Sequence, residues 1–223
     1  MGTDGYLGIS SVIQGNSAAC IQAIFAIHFP VAETVIDLTW GKGRFWKWEH
    51  DRRIIGCDVD LRGGAQIIAD YRAVPFGDQV CDVAVFDPPF IFSPGLRGIV
   101  GAKRFFLGSP EGTTERFYAG SQAPNRVQAP RNKRDLEAHT LVVMAEMQRI
   151  ARLGMILKGQ NLITDQHPNW WTYQVIKIGL TLGMGWPEDE LIQLSPAPRI
   201  HDPRWNRQMH FRRADCRYLI WRW

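Results

Sequence analysis

The sequence predicts an α/β domain built on a mostly parallel sheet with helices on both faces, and three observations carry that prediction. Short, wholly apolar runs recur through the first ninety or so residues, without the polar alternation of a half-exposed strand. Turn signals separate them: Gly41 and Gly43, Gly63-Gly64, then Pro75 and Gly77. Segments with apolar residues at helical spacing precede and follow these runs. A chain of 223 residues, 45% hydrophobic and 22% charged, is enough for one domain with a real core.

Taken in order, Ser17 to His28 reads as a helix, with Ala18, Ile21, Ile24, Phe25 and His28 on one face. Strands are predicted at 34–37, 53–57, 65–68 and 82–86. Residues 91–134 break the rhythm, being rich in Gly, Pro, Ser and Arg, and such a stretch inside a domain is usually functional or disordered. Asp135 starts a second helix, 136–153, that stops at Gly154. A strand at 155–158, a helix at 169–183 (Trp170, Tyr173, Ile176, Leu180) and strands at 191–194 and 217–223 complete the chain. There is no internal repeat and no low-complexity tract.

Several classes are disfavoured by composition. No apolar run reaches the ~20 residues of a membrane span, and Met1 to Tyr6 lack the features of a secretory leader. Cys20, Cys57, Cys81 and Cys216 show no CxxC spacing, so a reduced, cytoplasmic protein is expected rather than a disulfide scaffold. His201, Asp202 and His210 have no metal-ligand spacing, and no metal is expected. Charge is segregated. Residues 91–134 hold eight basic side chains against two acids, and 199–223 hold seven arginines against two aspartates. That is the footprint of a polyanionic partner, most often nucleic acid; two solvated basic surfaces are the plainer alternative.

Three motifs carry the chemistry. An apolar strand ends in Asp37, and Gly41-Lys42-Gly43 follows, a turn that lets backbone approach a ligand closely. The spacing is neither that of a dinucleotide fingerprint nor that of a phosphate loop. One strand later, Ile54-Ile55-Gly56-Cys57 ends in Asp58, an acid placed to accept both hydroxyls of a ribose, or else to cap a turn. Val83-Ala84-Val85-Phe86 then runs into Asp87-Pro88-Pro89-Phe90. Two prolines cannot continue a central strand, so a stiff elbow holds a carboxylate, a carbonyl and an aromatic face together.

In this order the motifs resemble the class I S-adenosylmethionine-dependent methyltransferases, in particular those that methylate amino groups of nucleic acids. The resemblance is carried by Asp37, Gly41 and Gly43, by Asp58, and by Asp87 to Phe90, over residues 33–90. It implies a Rossmann-like fold with a seven-stranded, mainly parallel sheet and S-adenosylmethionine as cofactor. Cofactor contacts would fall to Asp37, Thr39, Gly41, Gly43, Phe45, Asp58 and Asp70, and catalysis to Asp87, Pro88, Pro89 and Phe90. Trp40 and Lys42 are bulkier than the family's usual neighbours of the glycines.

The implied substrate is adenine in DNA, methylated on its exocyclic amine. Cytosine amino methylation, RNA base methylation and a non-catalytic nucleic-acid binder are the alternatives. The segment 91–134 is the candidate recognition insertion of a single methyltransferase domain. Arg97, Lys103, Arg104, Arg131, Lys133, Arg212 and Arg213 are the candidate phosphate contacts. A small stand-alone modifying enzyme of the kind phages and bacteria carry is the expected setting. Trp40, Trp46 and Trp48 could line the site, although most of the nine tryptophans are expected to pack the core.

Overall fold

The computed structural model describes residues 8–59, 63–88, 133–164, 167–194 and 215–223, with the side chains of 162–164 left aside. Its strands are β1 (Val12–Gln14), β2 (Thr34–Asp37), β3 (Arg53–Asp58), β4 (Ile67–Ile68), β5 (Cys81–Phe86), β6 (Ala151–Gly159), β7 (Leu162–Thr164), β8 (His167–Asn169), β9 (Asp189–Leu194) and β10 (Asp215–Arg222). The helices are α1 (Ser17–His28), α2 (Lys133–Ile150) and α3 (Trp171–Thr181), with a 3₁₀ turn at Arg44–Trp46. β7 and β8 form a separate antiparallel pair.

The other eight strands make one sheet in the order β1-β9-β10-β6-β5-β2-β3-β4. Five neighbouring pairs are parallel, and only β10 runs antiparallel to its neighbours β6 and β9. The expected seven-stranded, mainly parallel sheet is thus corrected to a mixed sheet of eight. The addition is β1, three residues at the edge beside β9, too short to show a period in sequence.

Alternate residues of the central strands enter two separate cores. Val35, Val83, Val85, Ile156, Tyr218 and Ile220 pack with Cys20, Ile21, Ile24 and Phe25 of α1. Ile36, Ala84, Phe86, Met155, Leu157, Leu219 and Trp221 pack with Val143, Met147, Trp171 and Val175 of α2 and α3. Both faces are therefore covered, which is why these strands read as continuous apolar runs. α1 begins at Asn16, whose side chain accepts from the Ala19 amide at 2.9 Å.

One boundary differs more than by fraying. The second helix does not run to Leu153 but ends at Ile150, and the chain enters β6 at once. Gly154 is no helix stop: it lies opposite Val83 and Arg222 in the sheet. A Cβ there would meet the Trp221 carbonyl oxygen at 2.1 Å, so glycine permits the close approach of β10. The third helix, expected from residue 169, starts at Trp171 because His167–Asn169 forms β8 instead.

Candidate active site

β2 and β5 are neighbours, and the chain goes from β2 to β3 on one side and from β5 to β6 on the other, so the connections from their carboxyl ends diverge and a crevice opens between them. In open α/β sheets that is where ligands bind. Asp37, Asp58, Asp87 and Lys158 all stand at the carboxyl ends of their strands, β2, β3, β5 and β6.

The glycine turn is tied down by the two earlier acids. Asp37 is 2% exposed, and its Oδ1 accepts from the Thr39 amide at 3.0 Å while Oδ2 accepts from the Trp46 indole Nε1 at 2.8 Å. Burial pushes its carboxyl up to about 7; the two donors oppose that rise, and the nearby Asp87 and Asp58 charges add to it. Gly41 and Gly43 have φ of +55° and +60°, a left-handed conformation that favours glycine. The Gly41 amide donates to Asp58 Oδ2 at 2.8 Å. Gly63 packs onto this turn so closely that a Cβ would lie 1.5 Å from the Gly41 carbonyl oxygen.

Thr39 joins the turn to the catalytic candidate, because its Oγ1 accepts from the Asp87 amide at 2.8 Å. Asp87 then meets a residue that no motif pointed to. The register pairs Val85 with Ile156 and Phe86 with Leu157, so the next position of β6, Lys158, lies beside Asp87 on the α1 face. On its other side Lys158 pairs with Tyr218 of β10. Lys158 Nζ donates to Asp87 Oδ2 at 3.0 Å, with the two side chains 11% and 28% exposed. Burial opposes the lysine's charge, but Asp87 outweighs it, so the ammonium's pKa lies above its usual value. Asp87 Oδ1 is buried and has no hydrogen-bond partner among the described residues.

The remaining candidates divide. Pro88 is buried beside Asp87. Phe45 is buried too, with its ring 5.2 Å from Lys158 Nζ and 6.2 Å from the Tyr218 ring, so it cages the lysine. Asp70 is held on both oxygens by the Arg72 guanidinium at 2.6–3.0 Å. Arg72 also donates to His139 Nε2 at 3.2 Å, leaving Nδ1 to carry the proton toward the Tyr71 hydroxyl at 2.8 Å. Burial and the Arg72 charge hold that imidazole's pKa below its usual value. Trp46 supports Asp37, while Trp40 is half-buried and donates to the Gly63 carbonyl at 3.1 Å. Trp171 and Trp221 pack the core, whereas Trp170, Trp186 and Trp223 are exposed.

Lys133 opens α2 and is exposed. Pro89, Phe90, Arg97, Lys103, Arg104, Arg131, Arg212 and Arg213 lie outside the described residues, as does nearly all of the 91–134 segment. Among the described residues no group of three or more His, Cys, Asp or Glu could hold a metal ion, and no helix is long and apolar enough to cross a membrane.

Sequence reasoning missed Lys158 and Tyr218. A charge ending the buried run Met155-Ile156-Leu157-Lys158 is visible in the sequence, but which acid it meets is set by the register of β6 on β5.

No family model matches the chain, and no curated protein matches it. Solved structures do. One described as the crystal structure of PH0851 shares 16% identity over 93% of this chain and 46% of its own, at a TM-score of 0.44. The small RNA methyltransferase HEN1 shares 10% over 93% of this chain and 25% of its own, also at 0.44. A geranyl diphosphate methyltransferase in complex with SAM shares 10% over 78% and 67%, at 0.39. The chain spans less than half the length of the first two. At these scores the fold rests on its own strand order and register, not on the likeness.

Proposed function

We propose that this chain is an S-adenosylmethionine-dependent methyltransferase that acts on the exocyclic amino group of adenine in DNA. The observation that carries the reading is the pairing, at one sheet edge, of a glycine turn with an acceptor group. Asp37, Gly41 and Asp58 form one side, and Asp87 and Pro88 the other, joined through Thr39.

The residues fit such a cofactor. The turn offers closely approachable backbone, and the Asp58 carboxylate is held beside it by the Gly41 amide. Two carboxylates, Asp87 and Asp58, lie close enough to raise the Asp37 pKa, and this makes the edge favourable to a cation, as a sulfonium is. Bound there, S-adenosylmethionine would supply an activated methyl group.

An exocyclic amine is a poor nucleophile because its lone pair is delocalised into the ring. Asp87 Oδ1 and the Pro88 carbonyl accept its two hydrogens and so favour a tetrahedral nitrogen with a localised lone pair. Positive charge would grow on that nitrogen as it took the methyl group from a bound sulfonium, whose carbon–sulfur electron pair would stay on sulfur. Acceptors placed there stabilise the transition state more than the ground state. The proton that nitrogen then sheds passes to Asp87 and on to water. The Phe90 ring would stack on the base, which must leave the duplex to reach this edge, and the basic segments would hold phosphates.

The test is transfer from labelled S-adenosylmethionine to duplex DNA, single-stranded DNA and RNA in parallel, read by nucleoside mass spectrometry. N6-methyladenine in DNA is expected. Asp87→Ala should cut the rate about 10³-fold, the scale of losing a preorganised transition-state contact, with cofactor affinity retained. Label only in RNA or only on cytosine would replace the substrate, and no cofactor binding would sink the reading.

A further inference from the structure

We propose that Lys158 is a positioning residue for the transfer: by engaging Asp87 Oδ2 it fixes the carboxylate so that Oδ1 is the atom that accepts the substrate amine. The inference rests on the reading of Asp87 as the amine acceptor and assigns its two oxygens different tasks.

The geometry separates those oxygens. Oδ2 takes the ammonium at 3.0 Å, and Oδ1 is buried with no partner among the described residues. A carboxylate held only by its backbone could rotate and present either oxygen; one locked to a fixed cation presents one. Lys158 is itself held. Its Nζ lies 5.2 Å from the Phe45 ring and 5.9 Å from the Tyr218 ring, and 3.4 Å from Ser17 Oγ. The Tyr218 hydroxyl donates to Gln193 Oε1 at 2.9 Å, and Gln193 Nε2 donates to the Gly15 carbonyl at 2.8 Å. The cation is thus anchored to the start of α1 and to two strands beyond β6.

Stability alone does not account for this lysine, because a buried ion pair rarely outperforms apolar residues of the same volume. A second consequence concerns the acid. Asn in place of Asp87 would leave a buried ammonium facing a neutral amide, so the acid is required by its neighbour.

The experiment compares Lys158→Met, Lys158→Arg, Asp87→Asn and the double variant Asp87→Asn/Lys158→Met, with kcat and KM for the nucleic acid, and calorimetric Kd for S-adenosylmethionine. Lys158→Met is expected to lower kcat about a hundredfold, the cost of a misplaced reacting group, while the cofactor Kd stays unchanged. Lys158→Arg should recover part of that loss. In the Asp87→Asn background, removing Lys158 should cost nothing further and should raise the thermal midpoint.

Full kcat in Lys158→Met would overturn the proposal. So would an equal loss in both backgrounds, since a residue acting through Asp87 cannot be additive with it. If Lys158→Met does not fold, the arginine variant and the double variant decide the matter in the same way. A fully active Asp87→Ala, by contrast, removes the reading of Asp87 and this inference with it.

Discussion

Two aspartates of the central strands stand at opposite edges of the sheet and live in opposite electrostatic circumstances. Asp82, near the amino end of β5, has its Oδ2 taken by the Glu33 and Thr34 amides and the Thr34 hydroxyl at 2.8–2.9 Å, and its Oδ1 by the Arg152 guanidinium at 2.8 Å. Burial opposes its charge, but these donors outweigh it and hold the carboxyl down at about 2. Asp87, five residues on, keeps a buried oxygen without a partner among the described residues, and nearby Asp37 is pushed up to about 7. The amino edge spends its acid on closing β2, β5 and β6 together. The carboxyl edge retains unsatisfied acceptor capacity, which is what a site needs and what a merely structural edge would have filled.

If that contrast is right, substitutions at the two edges should separate stability from activity. Asp82→Ala strips the acceptor from three donors of β2 and its approach, and should destabilise the fold by about 3 kcal/mol, at the upper end for orphaned buried hydrogen-bonding groups. Transfer by the fraction still folded should be unaffected. Chemical denaturation beside a rate normalised to folded protein checks both. A rate that falls with Asp82 while stability holds would erase the distinction between the edges.

Asp37 sits between the two cases, since both its oxygens are occupied yet it stands at the carboxyl edge. Asp37→Asn keeps one acceptor and turns an amide toward either the Thr39 N–H or the Trp46 indole. The mismatch should cost about 1 kcal/mol, the relief of a buried charge offsetting part of an unsatisfied donor. Because Thr39 and Trp46 frame the glycine turn, cofactor affinity should weaken as well, by calorimetry. Unchanged affinity would make Asp37 a plain structural acid like Asp82.

The sequence was informative wherever a local rule operated alone. The apolar spacing from Ser17 to His28 marked α1. The apolar runs of β2, β3 and β5 marked a sheet covered on both sides, and the acids ending them fall together at one sheet edge. It was silent where the determinant is register. Lys158 reaches Asp87 only because β6 pairs with β5 in one particular alignment and β10 returns antiparallel on its other side, and no spacing within the chain encodes that. Gly154 misled for the same reason, because a close approach of β10 looks, in sequence, like a helix stop. Phe45, which the resemblance implies as a cofactor contact, packs against Lys158 and Tyr218, a neighbourhood that again depends on register.

The subtlest test of the two edges is the sign of their pH dependence. Asp82 has a folded pKa of about 2 against the usual 3.8. Its stabilising contribution is therefore complete above about pH 4 and is lost as pH falls through 2. Asp37 has a folded pKa of about 7 against the same 3.8. Between those values the folded state binds the proton more tightly than the unfolded one. Its contribution is greatest below about pH 4 and declines as pH rises through 7. The stability of the native chain minus that of Asp82→Ala should thus grow from pH 2 to 4 and then level off. The native chain minus Asp37→Asn should shrink from pH 4 to 7. Thermal midpoints of the three proteins across that range measure both differences. Two curves of the same sign would mean that the Asp37 carboxylate is stabilised where it lies, and the carboxyl edge would then hold no excess negative charge to offer a cationic ligand.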